Sequence, residues 1–465
     1  MPHPLPPAIL REYDIRGVFG ETLGPDDARA IGRSFATLVR RAGGSRVAVG
    51  YDGRLSSPVL EHALVEGLTA SGVDVVRIGL GPTPMLYFAE ASMEDVQGGI
   101  QVTGSHNPAN HNGFKLVLEG HPVFGEALQR LGAIAAAGDW CDGIGRIETR
   151  EVLNGYVGRL AAELDGIAPA ALDGLRLGWD TGNGAAGPAV EALVARLPGT
   201  HHLLFTPVDG TFPHHHPDPT DPANLRDLQA LVAAKQLDFG VAFDGDGDRL
   251  GAIDATGRVI WGDQLLMIFA EDLLRAQPGA AVIADVKASA ALFDHVAALG
   301  GRAEMWRTGH SLIKSRMKQT GAPLGGEMTG HLFFADRYFG FDDALYAAVR
   351  LIGATVRLGR SVTALRGAMP TLATTPELRF AVDPARKQAV IAAVHEQLAA
   401  AGAKVVALDG VRVETADGWW LLRASNTQDM LTARAEARDA AGLARVLAAL
   451  DAALAGAGVV RPAAD

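Results

Sequence analysis

The chain has 465 residues, of which 48% are hydrophobic and 20% are charged, so it holds roughly two to four globular domains and is not a largely disordered protein. Its net charge of −11 argues against a general nucleic-acid binder or a ligand of acidic membranes. The single cysteine, Cys141, excludes an intramolecular disulfide, and no apolar run approaches the roughly 18 residues of a membrane span. The first residues lack the features of a signal peptide. We therefore expect a cytoplasmic monomer without a nucleic-acid or membrane partner.

The N-terminal third of the chain alternates between helical and strand-like patterns. A helix is predicted to begin at Pro25, with Ile31 and Phe35 on its buried face, and a short buried strand follows at 47–51. A second apolar helical stripe then precedes another strand at 73–78. Strands separated by helices favour a mainly parallel α/β sheet.

An order of strand, aspartate, loop and helix occurs three times, with the aspartates at Asp52, Asp180 and Asp285. The repeats lie about one domain length apart, which predicts three α/β domains of similar construction. The C-terminal residues differ, because strands such as 377–382 and 419–424, flanked by helices, predict an α+β domain. The predicted domains are 1–153, 154–257, 258–370 and 371–465.

The segment 103–108 reads TGSHNP and follows an apolar strand pattern. Polar and turn-forming residues after a strand predict a loop at a strand end, where α/β proteins place their sites. Ser105 is a candidate nucleophile there, although a serine hydroxyl is weak until a base or a metal activates it. Because neighbours on a loop do not usually face each other, we do not expect His106 to meet Ser105. A plain asparagine–proline turn is the alternative interpretation.

The segment 244–249 reads DGDGDR, also after an apolar strand pattern. Its three carboxylates repel one another, and a divalent cation is the usual way to hold them together. An EF-hand is excluded, because loop position six is Arg249 instead of glycine and position twelve is Ala255 instead of glutamate. Three acids leave room for water and phosphate oxygens, which suits Mg²⁺, and a solvated acidic turn is the alternative. The predicted metal ligands are Asp244, Asp246 and Asp248.

The segment 182–187 reads GNGAAG between a strand pattern and a helix pattern, and Asp209 lies about 20 residues further on. This arrangement matches a dinucleotide-binding fingerprint. The match has little specificity in a chain with 56 glycines, and we favour a tight turn from strand to helix. A dinucleotide-binding protein is kept as an alternative function.

Two later segments place polar side chains on predicted loops. The segment 325–331 reads GGEMTGH, and its acid, hydroxyl and imidazole can hydrogen-bond vicinal sugar hydroxyls. The segment 423–427 reads RASNT, in which the arginine offers a bidentate fork for phosphate. For each segment a purely structural turn is the alternative. Scattered basic groups at Arg16, Lys287 and His310 add to these segments.

Taken together, these segments resemble the α-D-phosphohexomutase superfamily. TGSHNP is similar to its phosphoserine loop, DGDGDR to its magnesium loop, GEMTGH to its sugar-binding loop and RASNT to its phosphate-binding loop, in the family's order and one per predicted domain. Met328 within GEMTGH resembles the phosphomannomutase/phosphoglucomutase branch. The resemblance implies three similar mixed α/β domains followed by a C-terminal α+β domain, arranged around a central cleft.

The resemblance also implies a chemistry. Ser105 would carry a phosphoryl group, pass it to a hexose 1- or 6-phosphate, and take the other phosphate back from a hexose 1,6-bisphosphate that turns over within the cleft. Mg²⁺ would be held by the three aspartates and a phosphate oxygen of Ser105, and glucose 1,6-bisphosphate or mannose 1,6-bisphosphate would be the activator. Proton transfer needs groups within hydrogen-bond reach, and Lys115 is the preferred one. The implied catalytic residues are Ser105, Lys115, Arg16, Arg249, His106 and His331.

The phosphosugar substrate would be bound both at its sugar hydroxyls and at its distal phosphate. Glu327 and Thr329 would hold O3 and O4, which glucose and mannose present alike, so the site would tolerate both sugars. A distal phosphate site would be formed by Arg423, Ser425, Asn426 and Thr427. The remaining substrate contacts would come from Tyr13, Lys287, His310 and His331.

The sequence departs from the family pattern at two places. Thr329 stands where serine is more common, which keeps the hydroxyl and adds a methyl group. Asp429 stands where a proline usually follows the phosphate-binding loop, which brings a negative charge near that site.

A metal-dependent sugar phosphatase, releasing phosphate to water from the same residues, is the other enzyme alternative. Because the bisphosphate must rotate without escaping, we also predict a mobile fourth domain hinged near residue 370.

Overall fold

The structure of the chain is a computed structural model that describes residues 2–425 and 430–461. Within these ranges four β-sheets, each covered by helices, follow one another along the sequence. None of the helices in the described ranges combines the length and the apolar character that a membrane crossing requires.

The first sheet is mixed. Its unit consists of β1 (Ile15–Val18), α1 (Pro25–Arg41), β2 (Arg46–Tyr51), α2 (Ser57–Ala70), β3 (Asp74–Leu80), α3 (Thr83–Ser92), β4 (Gly98–Val102), β5 (His111–Leu118), β6 (His121–Pro122), α4 (Glu126–Ala137) and β7 (Ile147–Thr149). The strand order is β1-β5-β4-β2-β3-β7, with β6 paired to β5. Strand β2 is parallel to β3 and β4, whereas β5 returns antiparallel to β4. That return makes the sheet mixed instead of mainly parallel.

The second unit carries a five-stranded sheet. Its elements are α5 (Leu153–Ala161), β8 (Arg176–Asp180), α6 (Gly187–Val194), β9 (Thr200–Leu204), α7 (Arg226–Lys235), β10 (Phe239–Phe243), β11 (Leu250–Asp254) and β12 (Val259–Ile260). The strand order is β12-β11-β10-β8-β9. Strand β10 is apolar and fully buried, as its uninterrupted hydrophobic run predicts for a central strand.

The third unit carries a four-stranded sheet. Its elements are α8 (Gly262–Ala276), β13 (Ala281–Asp285), α9 (Ala290–Ala298), β14 (Arg302–Trp306), α10 (His310–Thr320), β15 (Leu324–Gly326), β16 (Leu332–Phe334), α11 (Ala344–Leu358) and α12 (Val362–Gly367). The strand order is β14-β13-β15-β16. Helix α11 begins where the side chain of Asp343 accepts a hydrogen bond from the backbone N–H of Tyr346, a helix N-cap.

The fourth unit is antiparallel, as the α+β prediction requires. Its elements are β17 (Ala373–Thr374), β18 (Leu378–Ala381), α13 (Lys387–Ala400), β19 (Val405–Val406), β20 (Val411–Glu414), β21 (Gly418–Ala424), β22 (Met430–Ala437) and α14 (Ala440–Gly456). The strand order is β17-β22-β21-β20-β19, with β18 also paired to β22. Asp439 caps α14 by accepting from the N–H of Gly442.

The first three sheets repeat one topology, which confirms the predicted repeat. In each, a central strand (β2, β8 or β13) is parallel to the next two strands along the chain. The second of those two then turns back into an antiparallel hairpin, β4–β5, β10–β11 or β15–β16. At the carboxyl ends of the central strands lie the buried carboxylates of Asp52, Asp180 and Asp285.

The fourth unit has an apolar core of its own and meets the third unit mainly through polar groups. Arg412 stacks 3.7 Å over the ring of Trp419 and donates from Nη1 to the carbonyl oxygens of Val286 and Ala288, both at 2.8 Å. The apolar part of this contact is a small cluster in which Val286 packs with Trp419 and Leu421. A small contact of this kind is compatible with the predicted hinge near residue 370, which stays a prediction.

Helices α1 and α2 cross so closely that glycine is required at the contact. A Cβ atom on Gly67 would overlap the carbonyl oxygen of Arg29 and lie 3.0 Å from the backbone nitrogen of Arg33. We therefore expect Gly67→Ala to lower the thermal midpoint, since forcing an added methyl into a packed contact costs about 1–3 kcal/mol. The matched control is Gly155→Ala in α5, where the nearest atom, on Phe88, is 3.7 Å away.

The control is expected to be neutral or stabilising, because glycine in a helix interior costs up to about 1 kcal/mol relative to alanine. Thermal unfolding followed by circular dichroism measures both variants. Equal midpoints for the two variants would contradict the close crossing of α1 and α2.

Candidate active site

The three sequence motifs of the first three units occupy equivalent hairpin loops. TGSHNP lies between β4 and β5, DGDGDR between β10 and β11, and GEMTGH between β15 and β16. Arg423 and Ala424 of RASNT end strand β21, which pairs antiparallel with β22. Contacts join these loops to one another: Ser105 touches Asp244, and Arg249 pairs with His331 as an isolated antiparallel bridge.

Ser105 is buried and has a left-handed backbone, with φ of 50°. Its Oγ donates to Oδ2 of Asp244 at 2.9 Å and lies 3.1 Å from Nδ1 of His106. The prediction that His106 would not meet Ser105 is therefore wrong, because the positive φ folds the loop tightly enough for adjacent side chains to converge. Burial lowers the pKa of His106 well below its ordinary value, and the nearby Arg249 and Arg16 lower it further. The imidazole is thus neutral near pH 7.

The aspartate that ends the central strand holds the loop of its own sheet. Oδ2 of Asp52 accepts from Oγ1 of Thr103 at 2.8 Å and from the backbone N–H of Gly104 at 3.2 Å. In the third unit, Oδ1 of Asp285 accepts in the same way from the N–H of Met328 at 3.2 Å. The repeated aspartates thus anchor functional loops in two of the three units.

The carboxylates of DGDGDR are fully buried, and one oxygen from each lies within 4.8 Å of the others. Burial and mutual repulsion raise the pKa of Asp244 and Asp248 above the ordinary value. Oδ1 of Asp246 and Oδ1 of Asp248 are buried without a hydrogen-bond partner among the described residues. Buried carboxylate oxygens left in this state fit a hard divalent cation such as Mg²⁺.

Lys115 lies against the same loop. Its ammonium donates to Oδ2 of Asp246 at 2.7 Å and also to Oδ2 of Asp248. Burial alone would lower the pKa of Lys115, but the two carboxylates raise it well above its ordinary value. Thr83 donates to the same oxygen of Asp246 at 2.5 Å. Lys115 is therefore a fixed positive charge at this site, which suits stabilising an anion better than accepting a proton.

Arg16 and Arg249 flank the serine from two sides. Arg16 donates from Nε to Asp14 at 2.8 Å and from Nη1 to the side chain of Asn107 at 3.1 Å, which places it on the serine loop. Arg249 donates from its backbone N–H to Oδ1 of Asp244 at 3.2 Å and from Nε to Nε2 of His331 at 2.9 Å. Both arginines predicted for the phosphoryl centre therefore lie beside Ser105 and the metal loop.

A carboxylate that sequence reasoning missed, Asp342, orients the imidazole of His331. Arg249 is always a donor, so Nε2 of His331 accepts and Nδ1 carries the proton of the neutral ring. That Nδ1 lies 3.0 Å from Oδ2 of Asp342, whose other oxygen accepts from Lys314 at 2.7 Å. Nδ1 of His310 lies 3.5 Å from the same Oδ2. No motif marks Asp342, since its partners come from helix α10 and from the loop between β15 and β16.

The sugar-binding motif is held from the side of α10. Glu327 is buried, and its Oε1 accepts from the backbone N–H of Gly309 at 2.6 Å. Thr329 is half-buried on the same loop. The ring of His310 stacks on that of His331 with centroids 5.3 Å apart, and Tyr13 meets His310 edge-on at 6.1 Å. The three rings therefore contact one another next to the metal loop, where His331 pairs with Arg249.

Arg423 belongs to the fourth unit. It is buried, and its Nη2 donates to Oδ2 of Asp409 at 2.8 Å. The same oxygen accepts from the backbone N–H of Thr308 at 3.1 Å, and the carbonyl oxygen of Thr308 accepts from the hydroxyl of Tyr13 at 2.6 Å. Asp409, which no motif indicated, therefore links the predicted phosphate-binding arginine to Thr308 and, through it, to the predicted substrate residue Tyr13.

The remaining predicted substrate residues lie at the same junction. Nζ of Lys287 is 3.9 Å from Asp285 and 3.8 Å from Glu377 of the fourth unit. Ser425 is buried, and its carbonyl oxygen accepts from Lys387 at 3.1 Å. Asn426 and Thr427 lie outside the described residues, as does Asp429.

The GNGAAG turn packs against the metal loop. The backbone N–H of Ala185 donates to the carbonyl oxygen of Gly245 at 2.9 Å, and a Cβ atom on Gly184 would lie 2.9 Å from that oxygen. A Cβ atom on Gly182 would meet His215 and Pro217 at 3.1 Å. The chain itself covers this turn, which supports the interpretation as a tight turn from strand to helix.

Comparison with known families agrees with this architecture. Models of the phosphoglucomutase/phosphomannomutase alpha/beta/alpha domains I, II and III match residues 8–140, 154–257 and 261–372, and the model of the C-terminal domain matches 377–453. The fold is that of a phosphohexomutase. The domain boundaries after residues 153, 257 and 370 stay predictions.

Individual relatives agree with the family models. The chain is 43% identical over 446 residues to a phosphomannomutase/phosphoglucomutase of Pseudomonas putida, covering 96% of this chain and 95% of that protein. It is 41% identical over 442 residues to a phosphoglucomutase of Neisseria meningitidis, covering 94% and 95%. The crystal structure of a phosphoglucomutase/phosphomannomutase family protein from Burkholderia thailandensis matches with a TM-score of 0.91 and 43% identity over 98% of both chains. The chain belongs to the phosphoglucomutase/phosphomannomutase family.

The buried oxygens of DGDGDR predict a divalent-cation site that is measurable without an activity assay. Asp246→Asn removes one charged ligand, so we expect Mn²⁺ binding, followed by electron paramagnetic resonance, to weaken by about tenfold or more. The matched control is Asp254→Asn at the far end of the same hairpin, where the equally buried carboxylate accepts from Arg258 at 2.8 Å. The control is expected to bind Mn²⁺ like the unchanged protein. Equal weakening in both variants would argue against this metal site.

Proposed function

We propose that the protein is a phosphohexomutase that interconverts hexose 1-phosphate and hexose 6-phosphate, acting on mannose or glucose phosphates through a phosphoserine at Ser105 and a hexose 1,6-bisphosphate. The observation that carries this proposal is the 2.9 Å contact of Ser105 Oγ with the buried metal loop at Asp244. Arg423, in the fourth unit, supplies the second cationic group that a bisphosphate requires. A phosphatase needs only the first of these two centres.

The transfer exchanges one phosphorus–oxygen bond for another. The bond between phosphorus and Ser105 Oγ breaks, a bond to the free hydroxyl oxygen of the sugar phosphate forms, and the hydroxyl proton passes to a base. After the bisphosphate turns over, its other phosphate returns to Ser105 with the proton moving in the opposite direction. Such a transfer depends mainly on positioning and on charge stabilisation. Of the side chains predicted for proton transfer, His106 and His331 are proposed here, while Lys115 is assigned to charge stabilisation because the two carboxylates hold it as a cation.

The chain's own charges fit these roles. Lys115, Arg16 and Arg249 place three cations around Ser105 and stabilise charge on the phosphoryl group. Nδ1 of His106 lies 3.1 Å from Ser105 Oγ, within reach of a proton that moves to or from that oxygen, and its lowered pKa favours giving the proton up over keeping it. Residues Asp244, Asp246 and Asp248 would hold Mg²⁺ together with a phosphate oxygen on Ser105. When bound, the ion supplies a Lewis acid that neutralises charge on the transferring group.

The sugar would be held by atoms that do not distinguish glucose from mannose. Glu327 and Thr329 are proposed to bind O3 and O4, while the two sugars differ at C2. Two relatives support the breadth of this proposal, because one is named a phosphomannomutase/phosphoglucomutase and the other a phosphoglucomutase. We propose glucose 1,6-bisphosphate or mannose 1,6-bisphosphate as the activator.

Phosphorus NMR tests the reaction directly. With Mg²⁺ and a trace of glucose 1,6-bisphosphate, we expect glucose 1-phosphate and mannose 1-phosphate, in separate tubes, to yield their 6-phosphates. Ser105→Ala is expected to abolish conversion, since it removes the atom that accepts and donates the phosphoryl group. Release of inorganic phosphate in place of a 6-phosphate would identify the phosphatase instead, and conversion by Ser105→Ala would exclude the phosphoserine route.

The proposed distal phosphate site predicts different effects on KM for substitutions of Arg423 and of its hydrogen-bond partner Asp409. Arg423→Met removes a charge-assisted hydrogen-bond donor worth roughly 1.5–3 kcal/mol, so KM for glucose 1-phosphate should rise by about tenfold or more. Asp409→Asn removes the carboxylate that competes with phosphate for Arg423, so KM should stay the same or fall. Steady-state kinetics measure both variants. An unchanged KM in Arg423→Met would exclude this arginine from the phosphate site.

A further inference from the structure

A buried arginine behind the serine loop uses all of its donors on that loop and on Asp52. Arg54 is only 1% exposed. Its Nη2 donates to the carbonyl oxygens of Ser105 at 2.7 Å and Asn107 at 2.6 Å. Its Nη1 donates to those of Pro108 at 2.5 Å and His111 at 2.9 Å, and its Nε donates to Oδ2 of Asp52 at 3.2 Å. A guanidinium has five N–H donors in one plane, and here each of its nitrogens is engaged.

Asp52 and Arg54 together bind both the N–H groups and the carbonyl groups of the backbone of the serine loop. Asp52 accepts from the N–H of Gly104, while Arg54 satisfies the carbonyl oxygens that follow. Burying a guanidinium is unfavourable, and burial does lower the pKa of Arg54 despite the neighbouring Asp52. The contacts offset that cost by satisfying carbonyl groups that would otherwise be buried unpaired. They also stabilise the left-handed conformation of Ser105, which a residue with a Cβ atom rarely adopts.

The position of Arg54 is also set by close backbone contacts on both sides. A Cβ atom on Gly104 would lie 2.5 Å from Nε of Arg54, so only glycine lets the guanidinium lie under the loop. On the other face of the serine, a Cβ atom on Gly245 of the metal loop would overlap the carbonyl oxygen of Ser105. The Ser105 peptide is therefore enclosed between Arg54 and the metal loop, with no room to shift toward either.

The second unit contacts the segment that carries Arg54. A Cβ atom on Gly210 would lie 2.5 Å from the carbonyl oxygen of Gly53, and the ring of Phe212 lies 5.3 Å from the guanidinium carbon. The unit that supplies the metal loop therefore also supports the arginine that supports the serine loop. Arg54 thus sets the serine loop in register with the metal loop, although its side-chain hydrogen bonds go only to Asp52 and to backbone carbonyl oxygens of the first unit.

We propose that Arg54 is a positioning residue for phosphoryl transfer, which holds Ser105 Oγ at its contact with Asp244 by fixing four carbonyl oxygens of the serine loop. The inference rests on the phosphohexomutase function proposed above. Lysine cannot replace this arginine, because a single ammonium has neither the planar fork nor the five donors that reach four carbonyl groups. A shift of about 1 Å in a reacting group can reduce turnover by about 10²-fold.

The test compares Arg54→Lys with Arg350→Lys. Arg350 is also 1% exposed, but it binds Asp336 in the third unit and does not contact the serine loop. The measurements are thermal midpoint, Mn²⁺ binding, and kcat and KM for glucose 1-phosphate. For Arg54→Lys we expect kcat to fall by about 10²-fold with KM and Mn²⁺ affinity within about threefold of the unchanged protein. For Arg350→Lys we expect the thermal midpoint to fall by about as much as it does in Arg54→Lys. The kcat of Arg350→Lys should stay within about twofold of that of the protein without substitutions.

The outcomes separate the two proposals. If the protein without substitutions shows no mutase activity, the proposed function is overturned, and this inference is overturned with it. An active protein whose Arg54→Lys variant keeps its kcat, or loses kcat no more than Arg350→Lys does, would overturn the inference alone. If circular dichroism shows that Arg54→Lys is unfolded, Gly104→Ala displaces the same guanidinium from the opposite side. That variant is expected to lower kcat by about 10²-fold, and a retained kcat would overturn the inference.

Discussion

Three buried carboxylates on one short loop impose the charge constraint on which the site depends. Asp244, Asp246 and Asp248 repel one another in a region without solvent, where such repulsion is strong. Lys115, Thr83 and Ser105, which contact them from the first unit, are joined by His331 of the third unit, whose Nδ1 lies 3.7 Å from Asp248. Charge compensation therefore ties the first two units together and brings Ser105 to the metal loop. The location of Ser105, the proposed nucleophile, follows from the same electrostatics that a metal ion would satisfy.

A repeated sheet supplies the places for these groups. The same hairpin, β4–β5, β10–β11 or β15–β16, carries a serine in the first unit, three aspartates in the second and a glutamate in the third. The aspartate after the central strand keeps its role in the first and third units, where Asp52 and Asp285 bind backbone N–H groups of the loop. In the second unit, Asp180 instead accepts from the N–H of Gly182. Function thus differs through side chains placed on an otherwise shared scaffold.

The fourth unit differs from the first three in its sheet and in how it contacts the rest of the chain. Its core is separate from the others, and its contact with the third unit relies on Arg412, Trp419 and the carboxylate of Asp409. The apolar part of this contact is the cluster of Val286, Trp419 and Leu421, and the rest consists of hydrogen bonds and ion pairs. Arg423 is thereby brought to the junction by a unit that has an apolar core of its own.

The sequence by itself determined the elements and the loops, because periodicity, glycine and apolar runs act over a few residues. The strands before TGSHNP and DGDGDR, the repeat with Asp52, Asp180 and Asp285, and the loop positions of Ser105 and the metal aspartates were all predictable in this way. Only the tertiary structure decided which side chains meet. His106 faces Ser105, Asp342 orients His331, and Arg54 holds the serine loop. Each of these contacts depends on a positive φ or on a partner from another element, and neither leaves a periodic signal in the sequence.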